Sequence, residues 1–96
     1  MVLVIAHRGA SGHYPENTMK SINYAIQMDS DIIEIDLKMT KDRQIVLMHD
    51  EAVDRTTNGK GFVKDLTVQQ LKALDAGGGE RVPLLTEVME LYEKSD

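Results

Sequence analysis

Three short clusters in this 96-residue chain carry side chains able to do chemistry. His7-Arg8-Gly9 follows an apolar run, Glu34-Ile35-Asp36 sits inside a second, and His49-Asp50 closes a third. Carboxylates spaced i, i+2 share one face of an extended segment, and hard oxygen donors suit a hard divalent cation. Two imidazoles can divide the work of proton donor and proton acceptor near neutral pH. A guanidinium fork matches the geometry of a phosphate. Phosphodiester cleavage needs these parts: charge offset on the non-bridging oxygens, a base for the attacking oxygen and an acid for the leaving one.

Each residue also has a plainer reading. Glu34 and Asp36 alone would be the wet face of a half-exposed strand. If that face points into a barrel, two unpaired carboxylates would cost several kcal/mol each, on the order given for buried ions, and a cation removes the conflict. Lys38 on the same face could pair with Asp36. Arg8 could be an ion-pair partner of Glu16 as well as a phosphate ligand. Asp50 reads as orienting His49 or its loop. His13 and the Asn58-Gly59 turn read as loop, and Met19, Met28, Met39, Met48 and Met89 as core packing.

Composition narrows the field. A formal charge of −5 argues against nucleic acid or an anionic membrane as the main partner. Without cysteine, any metal must be held by oxygen or imidazole. The opening MVLVIAHRG lacks a basic leader region and offers only five apolar residues before His7, too few for a signal peptide or a membrane span. A cytoplasmic location is expected by default.

The elements that must position these clusters follow an α/β order. The apolar run 2–6 reads as a strand buried on both faces. A helix is predicted over 17–28, capped by Asn17, with Met19, Ile22 and Ile26 as its apolar stripe. The segment 32–39 reads as one strand with Ile33, Ile35, Leu37 and Met39 on one face and Ile32, Glu34, Asp36 and Lys38 on the other. A tight turn at 41–44 returns through 45–48, so those strands are expected to pair antiparallel. Thr67-Val68-Gln69-Gln70 resembles a capping box opening a helix to about Leu74, which Gly77-Gly78-Gly79 ends with some slack. A last helix is predicted over 85–94, with Val88, Leu91 and Tyr92 on one side. No strand follows it, so the pattern stops in the middle of a unit.

Taken in series, the motifs resemble the N-terminal part of the glycerophosphodiester phosphodiesterase family. They are His7-Arg8-Gly9, Pro15-Glu16-Asn17-Thr18, Glu34-Ile35-Asp36, Thr40-Lys41-Asp42, His49-Asp50, Arg55-Thr56-Thr57-Asn58-Gly59 and Leu74-Asp75-Ala76-Gly77. The resemblance implies the N-terminal portion of a TIM (β/α)8 barrel, incomplete in this chain, with residues 51–79 as a small insertion over the barrel mouth. It also implies hydrolysis of glycerophosphodiesters to glycerol 3-phosphate and an alcohol with Ca²⁺ or Mg²⁺. His7 and His49 correspond to the acid and base, Glu34 and Asp36 to metal ligands, Arg8 to a phosphate contact and Glu16 to a supporting residue. The family's third metal-binding glutamate lies on a strand beyond Asp96. A related phospholipase-type barrel shares much of the pattern, but the 55–59 insertion favours the glycerophosphodiester side. Two departures are expected to lower local stability: Arg43 where relatives place glycine in a turn, and Leu84 where a helix N-cap threonine would stand. A full barrel takes roughly 200 residues or more. The alternative is therefore a truncated, non-catalytic fragment or a self-assembling half-barrel that binds phosphate or metal weakly, self-association covering its open strand edges.

Overall fold

A computed structural model describes residues 5–9, 11, 12 and 14–94. The chain begins with a parallel βαβ unit. Strand β1 (Ile5–His7) leads through a loop to helix α1 (Met19–Gln27) and then to strand β2 (Ile32–Glu34). β1 and β2 pair parallel with Ile5 opposite Ile32, Ala6 opposite Ile33 and His7 opposite Glu34. Residues 2–4 of the expected first strand, and His13, lie outside the described residues.

Helix α1 starts one residue later than its sequence suggests. Thr18 caps it: its hydroxyl accepts from the Ser21 N–H while the Ser21 hydroxyl accepts from the Thr18 N–H. Asn17 is not the cap. It adopts a left-handed φ of +54° and sends its amide elsewhere. The apolar stripe is as predicted, with Ile22 buried and Met19 and Ile26 packed beside it.

The expected single strand over 32–39 is two strands. β2 stops at Glu34, and β3 (Leu37–Met39) begins after a break at Ile35 and Asp36. The two segments serve different partners: β2 pairs with β1, whereas β3 pairs antiparallel with β4 (Ile45–Leu47), with Leu37 opposite Leu47 and Met39 opposite Ile45. The break interrupts the alternation. Ile35 packs into the core, but Leu37 and Met39, expected to share its face, are 45% and 53% exposed. Met28 and Met89 are exposed as well, so only Met48 and Met19 of the five methionines fill core space.

β4 is the pivot of the packing. Val46 and Met48 point into a cluster with Val53, Val63, Leu71, Ala76 and Val82, while Leu47 joins Ile22 and Val88 on the other side. Period-two alternation thus places one short strand between two apolar clusters. The first is built by the segment after Asp50, including a 3₁₀ turn at Val63–Asp65 and helix α2 (Val68–Lys72). Thr67 and Gln70 form the expected capping box, though α2 ends at Lys72, short of Leu74. The triple glycine is not slack. The Asp75 carboxylate accepts from the Gly77 and Gly79 N–H groups at 2.7 and 3.1 Å, and a Cβ on Gly77 would sit 2.7 Å from Pro15 Cγ. Helix α3 (Leu85–Lys94) spans the predicted residues; Val88 is buried and Leu91 packs nearby, but Tyr92 is exposed. No helix among the described residues is long and apolar enough to cross a membrane.

Candidate active site

Strand register sets the first pair. Because β1 and β2 end level, His7 faces Glu34, and Nε2 lies 3.7 Å from Oε1, with both side chains more than half exposed. Gly9 lets the chain turn away directly afterwards. Its φ is +77°, and a Cβ there would lie 2.5 Å from the Ser21 Oγ on α1.

Asp36 stands just past the end of β2, where its carbonyl already accepts from the Met48 N–H at 2.9 Å but its own N–H has no strand partner among the described residues. Asn17 fills the gap from both ends of its amide. Nδ2 donates to Asp36 Oδ2 at 3.1 Å, and Oδ1 accepts from the Asp36 N–H at 3.2 Å. Asparagine tolerates the left-handed backbone this requires better than most residues. Arg8 Nε lies 3.6 Å from Asp36 Oδ2, and that buried N–H has no hydrogen-bond acceptor among the described residues. Lys38, expected to pair with Asp36, instead donates from Nζ to the His49 carbonyl at 2.9 Å.

Arg8 also contacts Glu16, Nη1 lying 3.3 Å from both carboxylate oxygens. The stronger hold on Glu16 comes from Arg55 in the segment after Asp50. Its Nη1 and Nη2 each donate to one Glu16 oxygen at 2.9 Å. The same guanidinium donates from Nε to Asp50 Oδ2 at 2.9 Å and from Nη2 to Oδ1 at 3.0 Å. Asp50 Oδ1 in turn lies 2.8 Å from His49 Nδ1. From Asp36 to His49 these contacts form one path, Arg8 bridging Asp36 and Glu16 and Arg55 carrying it through Asp50 to His49, while the His7–Glu34 pair stands apart from it. No hydrogen bond or ion pair joins the two histidines directly among the described residues.

The path is electrostatically biased. Hydrogen bonds from Arg55, opposed by burial and helped by the charges of Arg55 and Arg8, hold the Glu16 carboxyl below its ordinary value of 4.5. Hydrogen bonds from Arg55 and then His49 hold Asp50 well below 3.8. Glu16 first and then Asp50 raise Arg55 further above its already high value. Both carboxylates are therefore ionised acceptors near neutral pH.

The donor set can be weighed for a metal from these groups alone. Glu34 offers a half-exposed carboxylate, and Asp36 keeps Oδ1 without a hydrogen bond among the described residues. Two hard carboxylates two residues apart fit part of the shell of a magnesium- or calcium-like cation, which takes its remaining ligands from water and phosphate oxygens. Among the described residues no group of three or more His, Asp or Glu is gathered to hold an ion. The sequence offers Asn17 as a helix cap and Arg55 as part of a polar turn, and neither as a site residue. Both lie in motifs that are visible there, but those were the simpler uses for them.

The sequence pattern of the Glycerophosphoryl diester phosphodiesterase family matches residues 7–95. A glycerophosphodiester phosphodiesterase of Caldanaerobacter subterraneus subsp. tengcongensis is 52% identical over 98% of this chain and 42% of its own length. One from Bacillus subtilis (strain 168) is 46% identical over 97% of this chain and 37% of its own. Among solved structures, a phosphodiesterase of Oleispira antarctica in complex with the product sn-glycerol-3-phosphate superposes with a TM-score of 0.92 at 37% identity. It covers 99% of this chain and 41% of that one. The chain thus spans about two fifths of the length of the relatives it matches.

Proposed function

The chain belongs to the glycerophosphoryl diester phosphodiesterase family, and from that premise we propose that it carries the acid–base and phosphate-binding part of a site that hydrolyses glycerophosphodiesters to glycerol 3-phosphate and an alcohol. Its fold is the opening portion of a (β/α)8 barrel, an α/β unit with no closed barrel. The observation that carries the reading is the run of charged contacts from Asp36 and Arg8 through Glu16, Arg55 and Asp50 to His49, beside the separate His7–Glu34 pair at the strand ends, because it gathers the residues the chemistry requires.

The steps divide among the chain's own residues. Arg8, whose guanidinium is held between Asp36 and Glu16, binds a non-bridging phosphate oxygen. Of His7 and His49, one takes the proton from the attacking oxygen as the new P–O bond forms. The other gives a proton to the alcohol oxygen as the old P–O bond breaks. Glu16 keeps Arg8 in place from behind. Glu34 and Asp36 would hold a divalent cation, calcium or magnesium, which when bound supplies positive charge to the phosphate oxygens. Residues 51–79 act as an insertion over the barrel mouth. A groove of about 330 Å³ between β3 and this segment, lined by Lys38, Met39, Glu51, Phe62, Val63 and Lys64, is where the alcohol portion would lie.

The test is hydrolysis of glycerophosphocholine with added magnesium or calcium, alongside H7A and H49A. Loss of an acid or base is expected to lower kcat by about 10²–10⁴. Turnover that survives H49A would overturn the assignment of that residue. A second reading is favoured by the donor set, which among the described residues gathers two carboxylates and no third ligand. In it the chain is a non-catalytic module that binds phosphate or metal weakly. Wild-type protein that binds magnesium, loses that binding in E34Q and D36N, and hydrolyses nothing would establish that reading instead.

A further inference from the structure

Arg55 sits outside the βαβ unit, yet it is the most heavily engaged side chain near the site, with four donations to two carboxylates at 2.9 to 3.0 Å. Its two partners come from opposite sides. Glu16 belongs to the loop entering α1, and Asp50 follows β4 directly. The fork therefore pins the segment after Asp50 to the mouth of the first βαβ unit. It leaves Asp50 no freedom to rotate, since both carboxylate oxygens are taken by one rigid guanidinium.

We propose that Arg55 is a positioning residue that, by locking Asp50 against Glu16, sets the tautomer and ring orientation of His49. The inference rests on the reading of His49 as an acid–base group. The chemistry is direct. An ionised carboxylate can only accept, so at 2.8 Å from His49 Nδ1 it requires that nitrogen to carry the proton in the neutral ring. The lone pair then lies on Nε2, facing away from Asp50 and available to take a proton. Free neutral imidazole in a histidine favours the opposite tautomer, with the proton on Nε2. Without the lock, Asp50 is free to turn toward solvent, and Nδ1 loses the partner that selects its form. Arg8 cannot substitute, because among the described residues its guanidinium pairs with Glu16 and Asp36 and not with Asp50.

The ¹⁵N resonances of the His49 ring report its tautomer directly, at a pH where the ring is neutral and without need of turnover. In the wild-type chain the Nδ1–H form should dominate. R55Q and D50A should both shift the population several-fold toward Nε2–H, and R55K, whose single ammonium cannot hold both carboxylates, should fall between. Where turnover is measurable, R55Q should lower kcat by about tenfold or more with a smaller change in KM, and added guanidinium should restore part of it. Dispersed backbone amide spectra establish that a variant is folded; should R55Q fail there, R55K alone decides. A wild-type tautomer retained in folded R55Q, or in R55K, overturns the proposal even if His49 proves essential. A shifted tautomer in a chain that hydrolyses nothing upholds it while the hydrolytic reading fails.

Discussion

At the scale of single residues, the site depends on a few side chains that each satisfy two others. Asn17 holds Asp36 by both ends of one amide, and Arg55 holds Glu16 and Asp50 with one guanidinium. Such bridging makes the cluster sensitive to protonation. The Glu16 and Asp50 carboxyls titrate below their ordinary values of 4.5 and 3.8, so the folded state binds their protons less readily than the unfolded chain. A group depressed in this way contributes stability above its unfolded value and loses it as pH falls through the folded one. The clamp's contribution should therefore be complete above about pH 4.5 and decline as the pH falls below the ordinary values of 4.5 and 3.8 toward the lower values of the folded state. In R55Q that pH-dependent contribution should be missing. The acid-unfolding curves of wild type and variant, followed by circular dichroism, should be separated at pH 6 and converge as the pH is lowered. Curves that stay equally far apart down to the acid limit would remove the clamp from the account.

At the scale of elements, the positions expected to weaken the chain behave differently from each other. Arg43 closes the β3–β4 turn with φ at +60°, its N–H donating to the Thr40 carbonyl at 3.0 Å. A side chain in that conformation costs roughly 1 kcal/mol, part of which glycine returns through its greater freedom in the unfolded chain. R43G should raise stability by about 0.5–1 kcal/mol, a few degrees in Tm for a chain of this size, read by thermal denaturation. Leu84 is less of a defect than its sequence suggests. It packs against the cluster around Val46 and forms an isolated bridge to that residue. Its N–H donates to Glu87 Oε1 at 2.7 Å, so half of a capping box is present without the threonine. The Leu84 N–H and Lys72 together hold the Glu87 carboxyl below its ordinary value against the opposing effect of burial. Replacing Leu84 by threonine would gain a cap and lose packing, and thermal denaturation of L84T should show little net change.

At the scale of the whole molecule, two two-stranded sheets leave open edges among the described residues. Ile32, Leu37 and Met39 on β2 and β3 are each more than two-fifths exposed. A groove of about 350 Å³ lies between α1, β2 and α3, lined by Ile22, Ile33, Ile35, Val88 and Met89. Open strand edges beside exposed apolar side chains favour association. The weight-average mass of the chain in sedimentation velocity should rise with concentration, and M89E, which places charge at the groove, should suppress the rise. A mass independent of concentration would leave the exposed face without this role.

The family was legible in the letters, because His7, Glu34, Asp36 and His49 occur in an order that few unrelated chains would repeat. The capping box at Thr67 and the span of the last helix were legible too, since helix caps and apolar stripes are local patterns. Three features were not. The break at Ile35 and Asp36 depends on which strand lies alongside, and alternation cannot register a change of partner. Asn17 carries an amide suited equally to a helix cap and to Asp36, and only the proximity of a chain segment nineteen residues on chooses between them. Arg55 lies thirty-nine residues from Glu16, and no spacing rule brings a guanidinium from a polar turn to a carboxylate so distant in sequence. Local order is written in spacing; the pairing of distant charges waits on packing, because the β4 strand between its two apolar clusters is what brings them within reach.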